Sequence, residues 1–301
     1  MGLLTVDVPT REEIDEHGID VRPVAGALGA ELHGVDLRAL DTPGVAAVKD
    51  LLHHYEVIFF PGADLTGDEQ LALARQFGEL NIFPVARLRG VTEPACTVIT
   101  DGPDSPPEAD DWHTDVTWIA EPPNYALLSA QVIPRRGGDT LWASMTAAHE
   151  ALSPVMRGMI DDLEVVHDNS EFIRAMLRKM PAGPQAQSLA DALREAFPPV
   201  THPLVRTHPD TGRQALFVAG GFMRYIRGMR EPESDNLLAF LRQHIENAAL
   251  QCRWRWSPGD LAIWDERSTN HRSAADHFPQ ERSIRRVEVS GDRPYHRSAV
   301  Q

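Results

Sequence analysis

Cysteine is scarce: Cys96 and Cys252 are the only two in a chain of 301 residues. They stand far apart and outside any CxxC spacing, so no disulfide framework or cysteine-built metal site is expected. Both read as ordinary thiols of a reducing compartment. Positive charge is also short, since 29 Lys and Arg against 44 Asp and Glu leave a net charge of -15. Such a surface repels a phosphate backbone, which argues against nucleic acid as a partner, although a local basic pocket for a small anion remains compatible with it. No apolar run approaches the ~20 residues that span a bilayer. The start, "MGLLTVDVPTREEIDEHGID", lacks the basic segment and apolar run of a signal peptide. The expectation is an acidic, soluble, cytoplasmic protein with no membrane partner.

Hydrophobic residues make up 42% and charged residues 24%, an ordinary globular balance in a chain long enough for a large core. After a polar leader over 1–20, "VRPVAGALGAELHGVDL" reads as short strands broken by glycines. "DTPGVAAVKDLLHHY" has helical spacing, "EVIFF" is a short apolar strand stopped by Pro61-Gly62, and Thr66 with Glu69 predicts a capping box. Strands and turns follow, including "YALLSAQVIP" and "GGDTLWASM". A helix near Met145–Leu163 is predicted to break at Leu152-Ser153-Pro154. The stretch at about 169–200 is helical in pieces and reads as a lid-like insertion. Strands return from "THPLVRTHP" onward, around the helix "EPESDNLLAFLRQHIENA". The whole reads as one α+β domain over 21–301.

"DDWHTDVTW" sets His113 and Asp115 two residues apart. On a strand both point to one side, so an imidazole and a carboxylate reach one divalent metal while Thr114 faces away. An isolated H-x-D is more often a hydrogen-bonded pair, and two ligands need a third. His271 is the third candidate, in "WRWSPGDLAIWDERSTNHRSAADHFPQERSIRRVEV"; His53, His54, His202 and His208 are not excluded by spacing. Downstream, Arg282 to Val289 reads as a strand folding back beside the His271 segment. Alternation groups Arg282, Ile284 and Arg286 on one face and Ser283, Arg285, Val287 and Val289 on the other. Inward arginines would require paired anions, for which the planar guanidinium suits carboxylates and similar oxyanions. The opposite orientation, with Val287 and Val289 in the core, is equally compatible with the period.

Together these motifs resemble the taurine dioxygenase (TauD/TfdA) family of Fe(II)- and 2-oxoglutarate-dependent dioxygenases. The resemblance runs through "GALGAELHGVDL", "FGEL", "DDWHTDVTW", "GGDTLWASM", "THPLVRTHPDTGRQALFV" and the C-terminal run from "WRWSPGD" to "VEVSGD". It implies a double-stranded β-helix, or jelly-roll, core with flanking helices. It also implies a metal triad of His113, Asp115 and His271, and Thr140 and Arg282 on the far carboxylate of 2-oxoglutarate. Arg286 would hold the anionic end of the substrate and Val116 would line its pocket. The implied chemistry is hydroxylation with O2 and 2-oxoglutarate as cosubstrates. Members commonly associate, so a homo-oligomer is compatible with the resemblance.

The pocket departs from the taurine enzyme of that family. Phe83 and Ala86, in "FGELNIFPVAR", stand where it has a His and a Tyr, and Ala109 stands where it has an Asn. Apolar walls are permissive where hydrogen-bonding groups discriminate. The expected substrate is therefore an alkylsulfonate, releasing sulfite and an aldehyde, or an alkyl sulfate ester, with taurine disfavoured. A carboxylate such as an aryloxyalkanoate, or a biosynthetic intermediate, is the alternative within the class. A zinc hydrolase on the same triad is the alternative from another class. Most of the six tryptophans and the Arg135-Arg136-Gly137-Gly138 turn are expected to be structural.

Overall fold

In Val57-Ile58-Phe59-Phe60 every side chain is apolar, so a strand built from it has no face to turn to water. The computed structural model of the protein, which describes residues 18–107 and 111–297, covers both faces. Its strands are β1 (Asp20–Pro23), β2 (Ala30–His33), β3 (Val57–Phe60), β4 (Thr97–Asp101), β5 (Tyr125–Val132), β6 (Thr140–Ser144), β7 (Glu164–His167), β8 (Val200–Pro203), β9 (Val205–Thr207), β10 (Gln214–Leu216), β11 (Met223–Ile226), β12 (Gln251–Trp254), β13 (Leu261–Asp265), β14 (Thr269–Ser273) and β15 (Arg282–Val289). Seven of them form one sheet in the order β1-β2-β3-β13-β5-β15-β4, and three form a second in the order β12-β6-β14.

Alternation then sorts the side chains into two cores. Val57, Phe59, Ala126, Leu128, Ala262, Trp264 and Ile284 point toward the second sheet and pack with its Trp142 and Ala143. Ile58, Phe60, Leu127, Leu261, Ile263, Val287 and Val289 point the other way, onto the apolar stripe of two helices, α1 (Thr42–Tyr55) and α2 (Gly67–Phe77). Both helices begin as the sequence dictates. Asp41 caps α1, and Thr66 with Glu69 closes a capping box on α2. The two facing sheets and their flanking helices form an α+β jelly-roll arrangement, closed at its centre by aromatic contacts of Trp142 with Phe59 and Trp264 at 5.3 and 5.6 Å.

The remaining elements flank this core. After α3 (Pro84–Leu88), the helix expected near Met145–Leu163 is two, α4 (Met145–Glu150) and α5 (Pro154–Ile160), with Ser153 capping the second at the predicted break. The insertion is a pair of helices, α6 (Ser170–Lys179) and α7 (Pro184–Ala196), and α8 (Glu231–His244) follows the small sheet β11-β7-β8. Among the described residues no helix is long and apolar enough to cross a membrane. The expectation for β15 needs correction. It pairs with β4 and β5 in the larger sheet, while the His271 strand, β14, pairs with β6 in the smaller one. The two segments face each other across the core, because "ADHFPQE" crosses between sheets instead of turning a hairpin.

Candidate active site

His113 and Asp115 do not share a regular strand. His113 forms an isolated antiparallel bridge with His271, exchanging backbone hydrogen bonds of 3.0 and 2.8 Å, and the chain then turns sharply. Val116 takes φ +54, a conformation unfavourable for a β-branched residue. Side chains behind the turn hold it. Thr114 donates to the Thr269 carbonyl and to Asn270 Oδ1, and His202 Nε2 donates to the Thr117 carbonyl. Thr114 thus faces away from the site, as alternation predicts, although by a turn and not a strand.

Bridge and turn bring the three side chains together. Candidate ligand atoms of His113, Asp115 and His271 lie within 4.8 Å of one another. His113 Nε2 is 3.6 Å from Asp115 Oδ1, and His271 Nε2 is 3.9 Å from Asp115 Oδ2. These gaps exceed hydrogen-bond length. They suit ligands that share one ion with bonds of about 2.0–2.2 Å. His113 Nδ1 donates to the Asp111 carbonyl at 2.9 Å, which leaves Nε2 with its lone pair toward the site. Burial, with His113 and Arg286 nearby, pushes His271 down to about 3, so its imidazole is neutral, the ligating form. Burial pushes Asp115 up, but the Arg286 guanidinium outweighs it and holds the carboxylate at about 2. The donor set fits a divalent transition metal.

A cavity of about 180 Å³ opens beside the triad. His113, His271 and Thr140 line it from one side, and Arg282, Ile284 and Arg286 from β15 line it from the other. Arg282 is buried; its Nε donates to the Gly138 carbonyl at 2.8 Å and its Nη2 to Thr140 Oγ1 at 3.3 Å. Trp256 Nε1 also donates to Thr140 Oγ1. Arg135 and Arg136 are exposed as expected of a turn, whereas the glycines after them hold Arg282 in place. Gly137 and Gly138 both have positive φ, and a Cβ on Gly138 would meet Arg282 Cδ at 2.9 Å.

Arg286 joins this cavity to a second one of about 200 Å³, lined by Phe83, Ala86, Asn81 and Glu288. Its Nη1 donates to Asp115 Oδ2 at 2.8 Å and its Nη2 lies 3.2 Å from Glu288 Oε1. Asn81 Nδ2 donates to the other Glu288 oxygen. Val116 and Phe83 belong to a third apolar cluster with Trp118, Phe172 and Ile173, where Phe172 packs on both Phe83 and Trp118 at 5.6 Å. Ala109 falls outside the described residues.

Glu288, Asn81 and Glu266 were missed in the sequence. Glu266 is 1% exposed and accepts from the Asp115 backbone N–H at 3.2 Å and from Trp264 Nε1 at 2.7 Å. The signal that could have found it is an acid between an apolar strand and His271, where burial is forced. His53 and His208 form a cluster with Asp265, but the Arg267 guanidinium sits in it, 2.6 Å from Asp265 Oδ2 and 3.2 Å from His53 Nε2. That cluster already contains its cation.

Comparison with known proteins agrees with this geometry. Residues 20–287 match the family described as "Taurine catabolism dioxygenase TauD, TfdA family". An alpha-ketoglutarate-dependent sulfate ester dioxygenase of Pseudomonas putida is 36% identical over 278 residues, covering 92% of this chain and 91% of its own. An alkylsulfatase of Acinetobacter baylyi is 32% identical, over 91% of this chain and 86% of its own. The structure of a taurine dioxygenase from Burkholderia xenovorans superposes with a TM-score of 0.76 at 32% identity, covering 94% of each chain. The chain belongs to the TauD/TfdA family and is a 2-oxoglutarate (alpha-ketoglutarate)-dependent dioxygenase, an oxidoreductase.

Proposed function

We propose that the protein hydroxylates a small anionic organic substrate, an alkyl sulfate ester or an alkylsulfonate, with Fe(II) held by His113, Asp115 and His271. The observation that carries this reading is the position of Arg286. It is a half-buried cation beside the triad that also lines a second cavity walled by Phe83 and Ala86. An anion held there keeps its charged end near the triad and its alkyl body against apolar walls, with Val116 behind them. Arg282 and Thr140 hold the far carboxylate of 2-oxoglutarate, for which the guanidinium fork is suited. Ala109, in the same loop, is assigned to the pocket wall from the family pattern alone.

Bound iron, 2-oxoglutarate and O2 together supply the oxidant: one oxygen atom ends in succinate, with loss of CO2, and the other enters a substrate C–H bond. Hydroxylation at the carbon that bears a sulfate oxygen gives an adduct that loses its hydroxyl proton. Sulfate then departs and an aldehyde remains. On a sulfonate the same step releases sulfite. The protein's task is placement and exclusion of water. Helices α6 and α7 are suited to the latter as a cover over 169–200, because Phe172 packs on Phe83 and Lys179 lines the triad cavity. The sulfate ester reading draws support from the names of the Pseudomonas and Acinetobacter relatives. Residues 21–301 are read as one domain, and two unpaired cysteines accord with a cytoplasmic location. A hydrolase on the same triad gives Arg282 and Thr140 no task, and the family match lends it no support.

The test is succinate formation from 2-oxoglutarate with Fe(II) and O2, across taurine, longer alkylsulfonates, alkyl sulfates and aryloxyalkanoates. Turnover stimulated by alkyl sulfates or alkylsulfonates, and abolished in His113→Ala, is the expected result. Stimulation by aryloxyalkanoates alone would overturn the substrate assignment. Equal turnover in His113→Ala would overturn the triad.

A further inference from the structure

Glu266 stands outside the triad yet reaches two of its members. Its Oε2 accepts the backbone N–H of Asp115 at the point where the chain enters the strained turn at Val116. Its Oε1 accepts the Trp264 indole N–H and lies 3.9 Å from His271 Nδ1. That nitrogen is buried without a hydrogen-bond partner, while the same ring directs Nε2 toward Asp115. The Trp264 ring also packs on the His271 ring, with centroids 4.9 Å apart. Tryptophan, glutamate, histidine and aspartate therefore form one buried set in which the donors around Glu266 belong to the site or support it.

A buried carboxyl group is held in one orientation by the hydrogen bonds it accepts, because leaving their buried donors unpaired is costly. A metal-bound imidazole nearly always donates its other N–H to a carboxylate, carbonyl or water, which fixes its tautomer and ring plane. Glu266 Oε1 is placed to accept from Nδ1 once the ring shifts by about 1 Å, toward normal hydrogen-bond length. Resting on the metal role proposed above for the triad, we infer that Glu266 is a positioning residue: it fixes the backbone that carries Asp115 and the ring plane of His271, so that both ligand atoms are presented together. His113 has its own support, the Asp111 carbonyl, and is independent of this carboxylate.

The test is anaerobic titration of the metal-free full-length protein with Mn(II), a redox-silent probe, alongside thermal melts of the same metal-free samples. Glu266→Gln keeps the shape but cannot accept at both oxygens, and is expected to weaken Mn(II) binding about 10- to 100-fold. Its metal-free Tm should move by less than about 2 °C. Trp264→Phe removes the indole N–H that anchors Glu266, and should weaken binding in the same direction by a smaller factor. Mn(II) affinity of Glu266→Gln within about threefold of the parent would overturn the inference, against the 10-fold minimum expected. So would a loss of binding that only accompanies a comparable fall in metal-free Tm, which is the mark of a structural role. A parent protein whose Mn(II) binding is absent, or unchanged by His113→Ala, would instead overturn the triad itself and this inference with it.

Discussion

Arg286 donates to Asp115 at 2.8 Å and itself lines two cavities, one shared with the histidines and one with Phe83 and Ala86. The proposed anion holder and a proposed metal ligand are thus joined by a single charge-assisted hydrogen bond.

The two inward arginines should divide the two anionic molecules between them. Removing one partner of a buried, hydrogen-bonded charge pair costs about 2–5 kcal/mol, or roughly 30- to 5,000-fold in affinity. Arg286→Gln is expected to weaken apparent binding of the organic substrate by that order, and that of the 2-oxoglutarate cosubstrate much less. Arg282→Gln should do the reverse. Steady-state kinetics with each substrate varied in turn checks both, and a common effect on both Michaelis constants would show that the assignment is wrong.

Gly138 supports Arg282 by having no side chain. A methyl group there would lie 2.9 Å from Arg282 Cδ, on a residue with φ +73. Gly138→Ala should lose about 1–2 kcal/mol of stability from the backbone alone. It should also weaken apparent binding of the cosubstrate, because the guanidinium must move. Chemical denaturation and kinetics on the same sample separate the two losses.

Chain length should matter more than polar decoration in the substrate. Each buried methylene contributes about 0.8 kcal/mol. Extending an alkyl sulfate from two to five carbons should therefore raise kcat/KM by roughly 50-fold. A flat series, or taurine as the best substrate, would contradict the apolar wall assigned to Phe83 and Ala86.

Glu56, outside the triad, makes the fold sensitive to pH. Burial pushes its carboxyl up to about 7, with Ser144, Arg213 and Thr146 only partly offsetting the effect. The folded state thus holds a proton that the unfolded chain releases near its ordinary 4.5. The stability that Glu56 contributes is fully present below that lower value and is lost as pH rises through about 7, on the order of 3 kcal/mol in total. Glu56→Gln should match the parent near pH 4.5 and exceed it above pH 8, and denaturation midpoints at both ends decide it.

Much of the site is legible in the sequence because its chemistry is concentrated in motifs. H-x-D, "GGDT" and the arginine-bearing strand carry their spacing with them. What sequence spacing conceals is which sheet a segment joins. Arg282 to Val289 alternates equally well in either orientation, and both of its faces prove to be buried, Ile284 in one core and Val287 and Val289 in the other. Glu266 is hidden for a different reason. It is one acid among 44 Asp and Glu, and only burial distinguishes it from a solvated one. The H-x-D pair meets as expected, but through a bridge and a turn that period-two reasoning cannot foresee.

Because β15 is enclosed on both sides, its register admits no drift. A one-residue slip would exchange Arg286 for Arg285, whose guanidinium now lies against Gln70 and the Leu65 carbonyl beside α2, and would push Val287 toward the cavity. Insertions or deletions in this strand would therefore displace both Arg282 and Arg286, and with them both proposed anion sites. The short helix α3 with Phe83 before it, and the pair α6 and α7, carry no such constraint.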